Sequence, residues 1–236
     1  MRAIVTRLMA DKRREKVLVH DWPAPAGPTG NEIKTKTLYS AMTNGTERND
    51  LMRGNYATPD EDLPRGCGYQ NVGRTIEAGP DCKELGVGDV VYMSRDHTEY
   101  CVMPEDGLVV KLPPEVDLRH AALFGMASVA MRSCRNADLR VGQQLLVVGG
   151  GIVGQIAAQI GNAEGARVTL VDVDESRLAL AREVGACESV FNTAGDGWKT
   201  HIGEWDDAWC PPGRFDVVLD VAGVPGMEDR LIGAAK

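Results

Sequence analysis

The sequence of 236 residues predicts an α/β fold in two parts, a β-rich first half and a doubly wound parallel sheet in the second. Three observations predict this fold. Short alternating or apolar segments recur closely before residue 113, which is typical of a small barrel. A glycine-rich segment then follows an apolar strand. From there apolar strands alternate with helical patterns, and this alternation indicates a parallel sheet.

The first half contains segments of strand length. Residues 3–5 open the chain, and residues 16–19 are expected to pair with them as a hairpin. Residues 32–39 alternate with the period of a half-buried strand. A short helix is expected at residues 47–53. Four more strands are expected, at residues 72–78, 87–93, 99–102 and 108–112.

The second half follows the Pro113-Pro114 pair. One long helix is predicted over residues 118–135, and a second amphipathic helix over 175–184. Residues 192–213 read as a loop region, and a last helix begins at residue 227. Four strands are predicted, at residues 145–148, 168–171, 189–191 and 215–221.

Residues 145–172 hold the most informative pattern, an apolar strand followed by G-x-G-x-x-G, a helix and a second apolar strand. Gly149 permits the tight turn out of the strand, and Gly151 lets a pyrophosphate approach the backbone. Gly154 lets the helix pack closely on the sheet. The amides of the first helical turn, at Ile152 and Val153, face the phosphates. The pattern predicts a dinucleotide site, although the four predicted strands form only part of the usual six.

Asp172 ends the second apolar strand, about 20 residues past the glycine motif. A carboxylate at this place accepts hydrogen bonds from the adenosine ribose. Its charge also repels a 2′-phosphate, which favours NAD over NADP. Arg177 on the next helix is a further candidate for coenzyme contact, and its alternative interpretation is a solvated side chain.

The bulk composition excludes several classes of partner. A net charge of −8 argues against nucleic acid and against anionic membrane surfaces. The densest basic run, residues 12–16, is interpreted as a solvated hairpin edge. The sequence has no apolar run long enough for a bilayer and no signal-peptide core at its start, so we expect a cytoplasmic protein.

The six cysteines are scattered without a C-x-x-C pair. This spacing favours neither a disulfide framework nor a compact zinc lobe, and we interpret the thiols as reduced and mostly buried. They are Cys67, Cys82, Cys101, Cys134, Cys187 and Cys210.

The order of these segments resembles that of the medium-chain dehydrogenase/reductase superfamily, the zinc-type alcohol dehydrogenases and their zinc-free relatives. Residues 44–47 are similar to its C-G-T-D segment, residues 68–73 to G-H-E-x-x-G and residues 87–91 to V-G-D-R-V. The similarity extends along nearly the whole chain, through residues 97–113, 141–142, 177–186 and 220–223.

The resemblance implies a GroES-like β-barrel catalytic domain over residues 1–117 and an incomplete NAD(P)-binding Rossmann domain over 118–236. It implies an oxidoreductase that moves a hydride between nicotinamide C4 and an alcohol/carbonyl or enone carbon of a small-molecule substrate. The family continues beyond this chain's end, so we expect a C-terminally truncated form. An exposed sheet edge there would favour association of identical chains. The alternative is a catalytically inactive nucleotide-binding fragment or interaction module.

The sequence departs from the resemblance at the zinc ligands. Asn44, Tyr69 and Gly125 stand where the family has zinc-binding Cys, His and Cys or Glu. Zinc requires thiolate, imidazole or carboxylate donors, so no zinc is expected.

Without a metal, hydrogen-bond donors must stabilise the developing alkoxide or enolate. Thr46 matches the family's proton-relay hydroxyl, Tyr69 is a donor or acid, and Asn44 is placed to polarise a carbonyl. Each has a structural alternative: Thr46 as a helix cap, Tyr69 as a space-filling ring and Asn44 as a turn residue. His97, which has no obvious partner in the sequence, is assigned a structural role at a strand end.

Overall fold

The computed structural model describes residues 1–55, 57–194, 214–232 and 235. The chain forms two compact units, Met1–Gly125 and Met126–Lys236. The first is built on antiparallel strands and the second on a parallel sheet. This confirms the predicted α/β class, with a GroES-like β-barrel and part of a Rossmann sheet.

The first unit contains eight strands among its described residues, in two antiparallel sheets ordered β2-β1-β4 and β7-β3-β5-β6-β8. The backbone N–H of Ile4 donates to the carbonyl of His97 at 2.9 Å, which ties the two sheets together. The strands are β1 Ala3–Leu8, β2 Arg14–Val19, β3 Glu32–Ser40, β4 Arg65–Gly66, β5 Asn71–Ala78, β6 Val90–Met93, β7 Tyr100–Pro104 and β8 Val109–Lys111.

The strand predictions hold in position but not always in length. The hairpin of β1 and β2 pairs Ala3 with Val19, as expected. The strand predicted over residues 87–93 begins only at Val90, because a turn precedes it in which Gly86 N–H donates to the Asp89 carboxylate at 3.0 Å. Strong turn chemistry therefore overrides the β propensity of the preceding apolar residues.

The helices that begin in this unit are α1 Asn44–Leu51, α2 Leu118–Ala121 and α3 Phe124–Asn136, and a 3₁₀ turn covers Asp60–Asp62. Helix α1 begins three residues before the predicted start, directly after Thr43. The single long helix predicted over residues 118–135 was wrong. Its first part is a separate short helix, whose N-terminal N–H groups donate to the Asp117 carboxylate.

The basic run at residues 12–16 lies on a hairpin, as interpreted, but it is solvated only in part. The Arg14 and Lys16 side chains are only 3% and 8% exposed, and both contact the Asp50 carboxylate, at 3.3 and 3.2 Å. Arg14 also binds Asp60 at 2.6 Å. Burial alone would raise the pKa of Asp50, but hydrogen bonds from Thr6, the Thr58 amide and Lys16 outweigh it and lower that pKa. These ion pairs join β2 to α1 and the 3₁₀ turn.

We expect Asp50→Asn to lower the free energy of unfolding by about 2 kcal/mol at pH 7, because the amide keeps the shape but loses the charge facing two buried cations. The lowered pKa means that this contribution is present above the ordinary value of 3.8 and is lost as the pH falls through the folded-state pKa. Urea denaturation at pH 7 and in acid measures both effects. Asp11→Asn removes an exposed carboxylate of the same hairpin and is the control. Equal stability of Asp50→Asn and wild type at pH 7 would contradict the prediction.

The second unit contains a four-stranded parallel sheet in the order β11-β10-β9-β12 among its described residues. All four predicted strands are present, although β12 is shorter than expected. Leu145, Val147 and Leu170 are fully buried in its core. The elements are β9 Gln144–Val148, α4 Ile152–Ala163, β10 Arg167–Asp172, α5 Glu175–Val184, β11 Ser189–Asn192, β12 Val217–Asp220 and α6 Met227–Leu231.

Five of the six cysteines lie in the described part of the chain, and all five are free thiols. Burial raises the pKa of Cys187 to about 11, which makes this thiol unreactive at neutral pH. Cys210 and most of the loop predicted over residues 192–213 lie outside the described residues. No helix in the described ranges is both long and apolar enough to cross a bilayer.

Candidate coenzyme and substrate sites

A sharp backbone elbow joins β9 to α4. Gly149 follows the last residue of β9 and has φ of +104°, a region that L side chains rarely adopt. Its N–H donates to the carbonyl of Val171 at 2.8 Å. A Cβ at Gly149 would lie 2.9 Å from backbone atoms of Ala222. The chain can turn here only because the position has no side chain.

The next two motif glycines differ in their surroundings. No described heavy atom lies within 4 Å of the place that a Cβ on Gly151 would occupy. A Cβ on Gly154 would lie 1.9 Å from the carbonyl oxygen of Gly149. Ile152 and Val153 form the first turn of α4, where backbone N–H groups lack intrahelical partners. The elbow is therefore open at Gly151 and tightly packed at Gly154, as a phosphate-binding turn requires.

Asp172, at the end of β10, is bound to this elbow. Its Oδ2 accepts from the Gly150 N–H at 2.6 Å and from Arg177 Nη1 at 3.2 Å, and its Oδ1 accepts from the Asp174 N–H at 2.8 Å. The residue is 7% exposed. Burial alone would raise the pKa of this carboxyl, but the hydrogen bonds outweigh it and the pKa is lowered. Asp172 is thus a fixed negative charge beside the elbow at neutral pH.

The sequence analysis missed Gln155, which holds the elbow from within α4. Its Nε2 donates to the carbonyl of Gly150 at 3.1 Å and to that of Arg177 at 2.9 Å. The side chain is polar but buried, because it lies on the helix face that packs against the sheet. A polar residue on an otherwise apolar helix face was the signal that would have identified it. Gln155 links the glycine turn to the helix that carries Arg177.

The first unit contains a polar cavity of about 390 Å³ whose walls include Thr46, Glu47 and Tyr69. Two of the three predicted catalytic residues therefore share one cavity. Thr46 is exposed in the first turn of α1 and does not cap it, since the N-cap is Thr43. The Tyr69 hydroxyl donates to Thr43 Oγ1 at 2.9 Å. Asn44 is exposed at the first position of α1.

His97, for which the sequence shows no obvious partner, contacts two side chains in the structure. His97 Nε2 lies 3.2 Å from Glu47 Oε1, and its Nδ1 contacts the Ser40 hydroxyl. Glu47 Oε1 also accepts from the Thr43 N–H at 2.9 Å. A Cβ on Gly68 would lie 2.5 Å from the imidazole ring, so the backbone packs directly on it.

The ionisation of Glu47 follows from these contacts. Burial alone would raise the pKa of Glu47, but the hydrogen bonds from His97 and the Thr43 amide, with the positive charge of Lys16, outweigh it and lower that pKa. Glu47 Oε2 is buried and has no hydrogen-bond partner in the described part of the chain.

The residues present do not fit the catalytic zinc of the family that the chain resembles. Asn44, Tyr69 and Gly125 supply an amide, a phenol and no side chain, which are not zinc donors. A Cβ on Gly125 would lie 2.7 Å from Tyr92 Oη and 2.8 Å from Gln70 Oε1, so the space for a third ligand is filled. Within the described ranges, no three His, Cys, Asp or Glu side chains are grouped to hold a metal.

Comparison with known proteins gives matches along the chain. The sequence profile of the family "Zinc-binding dehydrogenase" matches residues 153–236. D-guloside 3-dehydrogenase of Shigella flexneri is 29% identical over 229 residues, which are 87% of this chain and 64% of that protein. L-threonine 3-dehydrogenase of Aeromonas salmonicida is 28% identical over 240 residues, which are 88% of this chain and 68% of that protein.

A solved structure, the Escherichia coli quinone oxidoreductase complexed with NADPH, is similar in fold with a TM-score of 0.79 at 21% identity. The match covers 99% of this chain and 70% of that one. This chain spans 64% of the length of the D-guloside 3-dehydrogenase. The ordered motifs, the barrel and parallel sheet, and these matches together support membership of the medium-chain dehydrogenase/reductase superfamily.

Proposed function

We propose that the chain is an NAD-dependent oxidoreductase that transfers a hydride between nicotinamide C4 and an alcohol/carbonyl or enone carbon, without a catalytic zinc. The observation that carries the proposal is the open elbow at Gly151 beside the buried, ionised Asp172. The elbow would bind the pyrophosphate, with the amides of Ile152 and Val153 facing it. The Asp172 carboxylate would bind the adenosine ribose.

The same carboxylate favours NAD over NADP. A 2′-phosphate would stand against the fixed charge of Asp172, whose lowered pKa keeps it ionised at neutral pH. Arg177 is half exposed, but it already binds Asp172 at 3.2 Å. Its charge is therefore partly neutralised, and it offers a 2′-phosphate less attraction than a free arginine would.

The substrate side of the proposal rests on the cavity of the first unit. Residues 1–117 would form the catalytic domain, and residues 118–236 the coenzyme domain. Thr46 would hydrogen-bond the reacting oxygen, and Tyr69 would support it as a donor by turning its hydroxyl hydrogen from Thr43 Oγ1 towards the substrate. Asn44 would polarise a substrate carbonyl. The relatives named above act on hydroxyl-bearing molecules according to their names, which supports an alcohol as substrate.

The proposal predicts saturable binding of NADH, with weaker binding of NADPH, in a fluorescence titration of the purified chain. A screen of alcohols with NAD, and of quinones with NADH, should show turnover that a metal chelator does not change. Binding of NADH without turnover would instead support the catalytically inactive nucleotide-binding module. Zinc at one equivalent per chain, lost together with activity on chelation, would contradict the zinc-free mechanism. Absence of NADH binding would contradict the assignment of the elbow.

A further inference from the structure

Asp96 contributes a carboxylate to the polar cavity of the first unit. The residue lies in the loop before β7, where it is half-buried and forms part of the cavity wall. Its backbone carbonyl accepts from Asn71 Nδ2 at 3.0 Å, but no described residue donates a hydrogen bond to its carboxylate or forms an ion pair with it. Burial raises the pKa of Asp96, and the nearby charge of Arg65 opposes this only in part. A partly desolvated carboxylate without a donor in a cavity wall indicates a place where a ligand binds.

The backbone makes room for this carboxylate at Gly66, in β4. A Cβ on Gly66 would lie 2.4 Å from Asp96 Oδ2 and 3.3 Å from Asp96 Cγ, so a side chain there would displace the carboxylate. The φ of Gly66 is not in the positive region, and the backbone conformation alone therefore does not require glycine. The glycine thus keeps the Asp96 carboxylate in the cavity wall.

Arg65 contributes a charge of the opposite sign to the same cavity. It directly precedes Gly66, is exposed and forms part of the cavity wall. Its guanidinium forms no ion pair with a described carboxylate, and it is not in contact with Asp96, although its charge acts on that group. A cation and an anion therefore line one cavity without neutralising each other by direct contact.

The other charged side chains in the cavity wall already have partners. Lys16 Nζ lies 3.2 Å from the Asp50 carboxylate. Glu47 lies 3.2 Å from His97 Nε2 and also accepts from the Thr43 N–H at 2.9 Å. Among the described residues, these pairs leave the two groups of the preceding paragraphs as the unpaired charges of the cavity.

The chemistry that suits these two charges is that of a zwitterion. An ammonium group would donate hydrogen bonds to Asp96 and would balance the charge that burial penalises. A carboxylate group would pair with the two-pronged guanidinium of Arg65. A ligand with only a positive charge would be repelled by Arg65, and one with only a negative charge by Asp96. A neutral polyol would remove both side chains from water without balancing either charge.

We propose that the substrate is a small zwitterionic alcohol, a 2-amino-3-hydroxy acid, whose ammonium binds Asp96 and whose carboxylate binds Arg65. This inference rests on the proposed function and names the substrate class of that site. The 3-hydroxyl would face Thr46, which lines the same cavity. The cavity, at about 390 Å³, has the size of a small-molecule site.

The reaction on this substrate is an ordinary alcohol oxidation. The C3–H bond breaks, and its hydride reduces NAD at nicotinamide C4. The O–H bond also breaks, its proton leaves to water, and its electron pair completes the carbonyl of a 2-amino-3-oxo acid. The ammonium and carboxylate groups keep their charges throughout, so their two partners bind the substrate before and during the reaction.

The experiment compares four secondary alcohols that share the group CH3–CH(OH). L-threonine carries both charged groups, 3-hydroxybutyrate lacks the ammonium, 1-aminopropan-2-ol lacks the carboxylate, and butane-2,3-diol is neutral. The variants are Asp96→Asn and Arg65→Gln. The controls Asp62→Asn and Arg74→Gln remove one charge each from exposed residues of the same unit that do not line the cavity. The readouts are kcat and KM with NAD, and the calorimetric affinity for each compound in the presence of NADH.

We expect the KM of wild type for L-threonine to be ~10–100-fold below its KM for each analogue. Asp96→Asn should raise the KM for L-threonine by ~10–100-fold but should not raise that for 3-hydroxybutyrate, which has no ammonium to lose a partner. Arg65→Gln should likewise raise the KM for L-threonine but not that for 1-aminopropan-2-ol. Changes in kcat should stay below about threefold, because both contacts are made equally in the ground and transition states.

Thermal unfolding separates this role from a structural one. A carboxyl group whose pKa is raised by folding reduces the stability of the protein as the pH rises above the ordinary value of 3.8. Asp96→Asn should therefore unfold at neutral pH at the same temperature as wild type or at a higher one. A lower unfolding temperature, with KM raised for all four compounds, would show that Asp96 supports the fold and would overturn the proposal. Arg65→Gln changes an exposed residue and provides a second test.

The outcomes separate the substrate class from the proposed function. Turnover of butane-2,3-diol without a preference for L-threonine would overturn the substrate class and leave the oxidoreductase standing. An equal rise in KM in Asp62→Asn or Arg74→Gln would also overturn it. Absence of turnover despite NADH binding would contradict the proposed function. Calorimetric binding of L-threonine that both variants weaken would then still support the substrate class, and absence of that binding would overturn it.

Discussion

Replacement of Gly154 by valine should destabilise the second unit by more than about 3 kcal/mol and abolish NADH binding. A Cβ at this position would lie 1.9 Å from the carbonyl oxygen of Gly149, and that atom belongs to backbone that cannot rotate away. The Val221 side chain stands at 3.2 Å from the same place, so α4 would have to move away from the sheet. Thermal unfolding followed by circular dichroism, with an NADH titration, measures both losses.

Gly151→Ala is the matched control in the same motif. The backbone there has φ of −68°, and no described heavy atom lies within 4 Å of the added Cβ, so the folded state accepts the methyl group. The methyl group would stand where the pyrophosphate approaches, however. We therefore expect a stable protein with weakened NADH binding. Normal stability of Gly154→Val would show that the helix and elbow are not packed as described. Normal NADH affinity of Gly151→Ala would refute the elbow as the phosphate site.

Local patterns in the sequence were sufficient to predict the coenzyme elbow. Its strand, turn glycines and terminal Asp172 are contiguous in the chain, and each follows from a steric or hydrogen-bonding requirement of its neighbours. The same is true of the four parallel strands, because strands buried on both faces give continuous apolar runs. In these regions the sequence and the fold agree because the determining contacts are short in range.

The polar contacts of the first unit could not be predicted in this way. His97 and Glu47 lie 50 residues apart in the sequence, and Arg14 and Asp60 lie 46 apart. The periodic pattern of a sequence does not show which of several carboxylates will contact a given cation or imidazole, because that depends on how strands from different parts of the chain assemble. The contacts of His97 with Glu47 and Ser40 could therefore not be predicted from the sequence.

Asp172→Ala should weaken NADH binding by ~100-fold, about 3 kcal/mol, in a protein that remains folded. The substitution removes the acceptor of the ribose hydroxyls. It also leaves the buried N–H of Gly150 without the carboxylate that it binds at 2.6 Å, so the elbow loses its fixed shape. Glu175→Gln, an equal loss of charge on the exposed first turn of α5, is the control and should bind NADH normally. Fluorescence titrations of the three proteins test the prediction, and unchanged affinity of a folded Asp172→Ala would contradict it.

The charge of Asp172 can be separated from its hydrogen bonds with Asp172→Asn. An amide oxygen still accepts hydrogen bonds but no longer repels a 2′-phosphate, and the substitution removes the ion pair of Arg177 with this residue, leaving the longer one with Asp174 at 3.7 Å. NADPH affinity should therefore rise relative to NADH affinity. Asp172→Ala should instead weaken NADH binding without the same gain in relative NADPH affinity. In wild type the preference for NADH should persist in mild acid, because the pKa of Asp172 is lowered from 3.8. The preference should be lost only as the pH falls through that lowered pKa, since the neutral carboxyl has no charge to repel the 2′-phosphate. An unchanged ratio of the two affinities in Asp172→Asn would show that steric fit, and not this charge, selects the coenzyme.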